Sequence, residues 1–249
     1  MAWYAKPSGA YSRTSVEGIT NIFNFRTEFS TWSIESVCGM LGNVQAESGF
    51  NPWRWQGDRY GTSRGYGLFQ YTPASSYLAL SGVTPNLSVD SITSGATPED
   101  AVRQIQVFRT NELGKWVSRC WRPYWNDDGT WSGTPLYPDL WNLRSQVLST
   151  WGSGSSISIA EFSEVTDMYD AAFIFLACFE GPNVPNLGAR QRNAAAIYTI
   201  LTGDPPPTPP TPPPPPPPPE PPAGDFNINK LLIYTQRRQR KKIRRFFNA

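Results

Sequence analysis

A mainly helical domain with a small hairpin, joined by a proline rod to a basic tail, is the architecture this 249-residue chain predicts. Three observations predict it. Apolar residues recur three and four apart behind polar caps through most of residues 1–203, only one short stretch has strand character, and fifteen of the 25 prolines lie between Pro205 and Pro222.

Thr14 with Glu17 has the form of a capping box ahead of Ile19, Ile22 and Phe23. Ser33 precedes a row of Ile34, Val37, Cys38, Leu41 and Val44 that Glu47 continues, and Asn51-Pro52 stops that helix because the residue before proline is pushed out of the helical region. Leu68 to Thr72 is the strand-like stretch, placing a hairpin near residues 56–71. Thr97-Pro98-Glu99-Asp100 sets a cap, a first-turn proline and two acids before Val102, Ile105 and Phe108. Ser158 with Glu161 opens a shorter helix. Thr166-Asp167 starts the run from Ala171 to Phe179, which is apolar all round and therefore crosses a core. Ala189 to Leu201 forms the last helix, closed by Gly203.

Glu47 is the main candidate for chemistry. A carboxylate ending a core-facing row sits partly out of water at the negative end of a helix dipole, and both influences favour the proton-bearing form that an acid catalyst needs. The absence of histidine excludes Ser-His and Cys-His nucleophilic sites and His-based zinc sites in this chain. Cys38, Cys120 and Cys178 are too few for an all-thiolate zinc cage, and Cys38 and Cys178 fall in apolar helical patterns as small core residues. No metal and no cofactor is expected. Carboxylate acid catalysis remains, and glycoside cleavage is the reaction class that commonly runs on it.

Two stretches carry a resemblance. Gly42-Asn43-Val44-Gln45-Ala46-Glu47-Ser48-Gly49-Phe50-Asn51-Pro52 and Gly65-Tyr66-Gly67-Leu68-Phe69-Gln70-Tyr71 resemble the catalytic Glu-Ser helix end and the Gly-Leu-X-Gln segment of the lysozyme-like superfamily, which includes goose-type lysozymes and lytic transglycosylases. With Asn51-Pro52-Trp53-Arg54-Trp55-Gln56 and the opening Met1-Ala2-Trp3-Tyr4-Ala5-Lys6-Pro7, roughly residues 1–202 are similar to the phage tail lysozyme family. The resemblance implies an α+β lysozyme-like fold, peptidoglycan glycan strands as substrate, Glu47 as general acid, and a place in a virion beside other tail proteins. Its third motif, Ala-Tyr-Asn-X-Gly, has as nearest counterpart Ala177-Cys178-Phe179-Glu180-Gly181-Pro182, a departure from the pattern.

For a second carboxylate, Asp58 and Glu180 compete, with Asp58 also readable as a turn former. Gln70 positions substrate or orders the loop through its amide. Tyr66, Phe69, Tyr71, Trp53 and Trp55 are candidate cleft residues. A Trp-rich insertion at 114–151, with Trp116, Trp121, Tyr124, Trp125, Trp131, Tyr137, Trp141 and Trp151, offers faces for sugar rings or packing for ordered loops.

Residues 204–224 form the linker, on the order of 55 Å if eighteen residues adopt polyproline II. The tail, 225–249, holds Lys230, Arg237, Arg238, Arg240, Lys241, Lys242, Arg244 and Arg245 against Asp225 alone, leaving 14 basic residues against 17 acidic ones in 1–203. The domain is thus near −3 and the tail near +7. Bases interleaved with Leu231, Leu232, Ile233, Tyr234, Ile243, Phe246 and Phe247 suit nucleic acid, an anionic surface or a partner protein. Neither a signal peptide nor a transmembrane segment is expected from the N-terminus or the hydropathy.

Overall fold

The computed structural model describes residues 3–81, 98–112, 134–154, 156–182 and 184–209. They belong to one unit ending at Pro209. The expectations for Trp116, Trp121, Tyr124, Trp125, Trp131 and Cys120, for most of the proline rod and for the basic tail lie outside the described residues.

The architecture is mainly helical. In chain order the helices are α1 (Val16–Glu28), α2 (Ile34–Glu47), α3 (Ala74–Ser81), α4 (Pro98–Val107), α5 (Pro138–Trp151), α6 (Ile159–Ser163), α7 (Met168–Phe175) and α8 (Leu187–Thr202). Wide turns, Phe108–Glu112 and Leu176–Glu180, extend α4 and α7. Where a strand was expected, residues 66–71 make a tight turn flanked by isolated antiparallel bridges, Trp55 with Tyr66 and Tyr66 with Tyr71. Left-handed backbone at Gly67 (φ 79°) and Gln70 (φ 46°) prevents Leu68–Thr72 from extending.

Side-chain caps explain four of the described helix starts. Ser33 Oγ accepts from the Ser36 amide (3.0 Å), and Ser158 and Glu161 form the reciprocal capping box. Asp167 accepts from the amides of Tyr169 (2.8 Å) and Asp170 (3.0 Å). At α1 the cap is Ser15 instead of Thr14; its hydroxyl accepts from Gly18 N at 3.1 Å, while Thr14 pairs with Ser12. Gly203, left-handed at φ 80°, closes α8. Helix α5, opened by Pro138, occupies the end of the segment assigned to a Trp-rich insertion.

Helix α2 is the centre. Every residue from Ser36 to Val44 is buried, because α7 and α8 both pack on it. Close approach is possible where α2 has no side chain: a Cβ at Gly39 would stand 2.5 Å from Ala171 Cβ and Ala172 N on α7, and one at Gly42 would stand 2.5 Å from Arg190 O on α8. Each of Val37, Met40, Leu41 and Val44 then contributes roughly 1.5–3 kcal/mol by leaving water. Ser36 Oγ donates to Phe162 O (2.5 Å), tying the start of α2 to α6. All eight residues of α7 are buried, as its all-round apolar pattern requires. Beside this bundle Phe25, Phe29, Phe69, Phe108, Phe175 and Phe179 stack in one aromatic layer.

Cys38 is a buried free thiol, pushed up to about 12 chiefly by desolvation. Cys178 is buried as expected but is also disulfide-bonded, which an odd and scattered set of cysteines did not suggest. Asp170 on α7 is buried too, accepting from Trp151 Nε1 at 2.7 Å.

Two stability outcomes follow from this packing. Gly39→Ala forces α7 off α2 and lowers unfolding free energy by about 1–3 kcal/mol in urea titration. Burial raises the Asp170 carboxyl above its ordinary value, with the Trp151 hydrogen bond opposing. The folded chain therefore holds that proton more tightly than the unfolded one, and stability falls as pH rises through the interval above the ordinary aspartate value. Unfolding curves for wild type and Asp170→Asn, measured from acid to neutral pH, diverge in the variant's favour as pH rises; parallel curves contradict the assignment.

Candidate active site

The site begins where α2 ends. Ser48 N and Ser48 Oγ both bond Val44 O (2.9 and 3.1 Å), and Gly49 N bonds Gln45 O (3.1 Å). The chain then turns through two left-handed residues, Gly49 (φ 56°) and Phe50 (φ 59°), before Asn51-Pro52. Glu47 is left at the rim of the core, its side chain 23% exposed.

Its partner was not visible in the sequence. Arg190 of α8, only 6% exposed, donates through Nη2 to Glu47 Oε1 at 2.5 Å. The same guanidinium donates through Nη1 to Asn43 Oδ1 (2.9 Å) and through Nε to Pro185 O (3.2 Å). Asn43, one turn before Glu47, is fixed in turn by donating to Gly39 O (2.9 Å) and Ala172 O (3.0 Å). Helices α2, α7 and α8 thus meet in one polar network inside an apolar core. Glu47 Oε2 has no hydrogen-bond partner among the described residues.

The loop beyond Glu47 is held by amides. Asn51, fully buried, accepts from Lys6 N (3.2 Å) and Trp53 N (3.1 Å) and donates to Lys6 O (2.7 Å) and Gly9 O (2.8 Å). Asn21 of α1 accepts from Tyr4 N and donates to Tyr4 O and Phe50 O, each at 2.9 Å. Tyr11 N reaches Gly49 O (2.9 Å), and a Cβ at Gly49 would meet Ala10 at 2.2 Å. Residues 3–11 are therefore a strap over the segment that follows Glu47.

Asp58 is tied to that strap. It is exposed and left-handed (φ 52°), accepts from Gly9 N at 2.6 Å, and lies 3.7 Å from Arg54 Nε. Neither contact brings it to Glu47. Glu180, half-buried at the end of the wide turn after α7, precedes left-handed Gly181 (φ 50°), whose amide bonds Leu176 O (2.7 Å).

In the second motif, Gln70 Nε2 donates to Gly67 O (2.9 Å) and Arg54 O (3.1 Å), so its amide orders the turn. Gln104 of α4, unmarked in the sequence, completes it: Oε1 accepts from Leu68 N and Nε2 donates to Pro52 O, both at 2.6 Å. A Cβ at Gly67 would fall 2.3 Å from that amide. Trp53, Trp55, Tyr66 and Phe69 are 7, 4, 1 and 2% exposed, and their faces are taken by protein. Tyr66 packs on Trp55 (4.4 Å) and Tyr77 (5.7 Å), and Phe69 on Phe108 (4.7 Å) and Phe179 (5.7 Å). Tyr71 is half-buried, stacked on Tyr77 at 5.0 Å with its hydroxyl donating to Gln104 O (3.1 Å).

A family model for phage tail lysozyme matches residues 18–201. The chain belongs to the phage tail lysozyme family. The match takes in Glu47, Gln70, Glu180 and Arg190, while the strap precedes it and the proline and basic segments follow it. The chain is also 29% identical over 174 residues to morphogenesis protein 1 of Bacillus phage B103, a match covering 69% of this chain and 36% of that relative. It thus spans about a third of the relative's length. No helix among the described residues is long and apolar enough to cross a membrane.

The strap gives this family member a test outside chemistry. Asn51→Ala strands buried amide and carbonyl groups and costs roughly 1–3 kcal/mol. Hydrogen exchange at the amides of Lys6 and Tyr11 speeds up in the variant; unchanged exchange there contradicts the strap.

Proposed function

We propose that this chain is a virion-associated peptidoglycan glycosidase in which Glu47 protonates the glycosidic oxygen between amino sugars. The observation that carries the proposal is a helix-end carboxylate with one oxygen held from the core and the other without a partner among the described residues, in a member of the phage tail lysozyme family. A proton passes from Glu47 Oε2 to the glycosidic oxygen as the bond from that oxygen to C1 breaks. The sugar develops oxocarbenium-like charge at C1, and water adds there, returning a proton to a carboxylate. Glu180 is our candidate for the supporting carboxylate.

A second reading is favoured by where Asp58 sits. Its oxygen is engaged by Gly9, so it is not joined to Glu47 by any described contact. A lytic transglycosylase requires only one glutamate, acid then base, with a hydroxyl of the substrate adding to C1 and closing an anhydro ring. Beyond the domain, we propose that the proline segment spaces it from a tail that anchors through its bases to virion proteins, nucleic acid or an anionic surface. The name of the B103 relative, a morphogenesis protein, supports a particle setting.

Mass spectrometry of fragments released from purified peptidoglycan decides among these. Reducing ends that fall about 10²–10⁴-fold with Glu47→Gln indicate a hydrolase, and anhydro ends a transglycosylase. No fragments from folded wild type, on walls of several chemotypes, would leave a glycan-binding particle protein instead.

A further inference from the structure

We infer that Arg190 is a positioning residue for Glu47: it holds Oε1 from the core side and so assigns proton transfer to Oε2. The inference rests on the glycosidase reading and deepens it. Three facts carry it beyond a structural ion pair. First, Arg190 is 6% exposed, and the other two groups it donates to, Asn43 Oδ1 and Pro185 O, are neutral, so among the described residues Glu47 is the one anion its guanidinium contacts. A buried ion pair is weak evidence for stability, since apolar residues of similar volume often serve as well or better. Second, the guanidinium cannot swing. Nε is engaged by the backbone before α8, and Nη1 by an asparagine whose orientation is set by two carbonyls, on α2 and α7. Third, the two carboxylate oxygens are unequal, one gripped at 2.5 Å and one without a described partner on a side chain that stays 23% exposed.

Lysine cannot replace this arrangement in full. Its ammonium is a point charge, whereas the planar fork of arginine meets Asn43, Pro185 and Glu47 at once. Gly42 belongs to the same device, because its bare Cα lets the Arg190 backbone approach α2.

The test compares wild type, Arg190→Gln, Arg190→Lys and Glu47→Gln for turnover of soluble glycan strands, with thermal unfolding of each. Misplacing a catalytic group by about 1 Å costs on the order of 10²-fold. We expect Arg190→Gln to lower kcat by about that factor with KM within about twofold, and Arg190→Lys to recover part of kcat at an unchanged KM. In the Glu47→Gln background, Arg190→Gln is expected to add nothing further. Arg190→Gln turning over at the wild-type rate while Glu47→Gln is dead overturns the inference and leaves the glycosidase reading standing. Full activity of Glu47→Gln overturns both. If Arg190→Gln does not fold, Arg190→Lys decides alone: a folded protein with wild-type kcat, or a loss confined to KM, refutes positioning.

Discussion

The approach of α7 and α8 to α2, at two glycines, is the constraint on which the rest depends. With a side chain at Gly39 or Gly42 the helices would stand apart by the thickness of a methyl group, and the gap would fall across the most buried helix of the fold. Interiors packed as densely as crystals do not absorb such a gap locally. The same approach brings Arg190 and Ala172 O within reach of one asparagine, so the polar network is a by-product of how tightly the apolar core closes.

Rigidity then spreads from the core to the loops through amides. Asn21, Asn51 and Gln104 each satisfy backbone groups of segments too irregular to pair with themselves. Neutral amides serve because each offers both donors and an acceptor, so one buried side chain can satisfy opposite needs without burying a charge. Between them they fix the strap, the segment after Glu47 and the Gly65–Tyr71 turn.

What the sequence made legible follows the range of each interaction. Ser33, Ser158, Asp167 and Gly203 act within one turn of their helices, and those ends were predicted within a residue or two. The Thr14 reading is one position off, because the Thr14 hydroxyl pairs with Ser12 Oγ while the neighbouring Ser15 Oγ takes the Gly18 amide. Helices α3 and α5 were missed. The first is short, and the second is half-exposed with aromatic residues that masked its period. Glu47 was legible because it ends its own helix row. Arg190 was not, since it lies 143 residues away in an alanine-rich helix where an arginine has the look of a solvated face. In sequence, a packed turn and a sugar platform show the same aromatic pattern, and it is the neighbouring rings of Tyr77, Phe108 and Phe179 that mark Tyr66 and Phe69 as packed.

The places where local rules are broken are not scattered. Among the described residues, positive φ at non-glycine positions occurs at Phe50, Asp58, Gln70 and Asn186. Three lie in the loops after Glu47, and the fourth opens the helix that carries Arg190. Each departure costs of order 1 kcal/mol, and a carboxylate at a helix C-terminus with a guanidinium inside the core adds two further departures from what stability alone would select. Bulk apolar burial by α2, α7 and the aromatic layer more than offsets them. A fold that spends local stability around one carboxylate, while Ser15, Ser33, Ser158 and Asp167 cap their helices in the ordinary way, has the distribution of strain expected when a few side chains are held in place against local preference and the remainder serve packing.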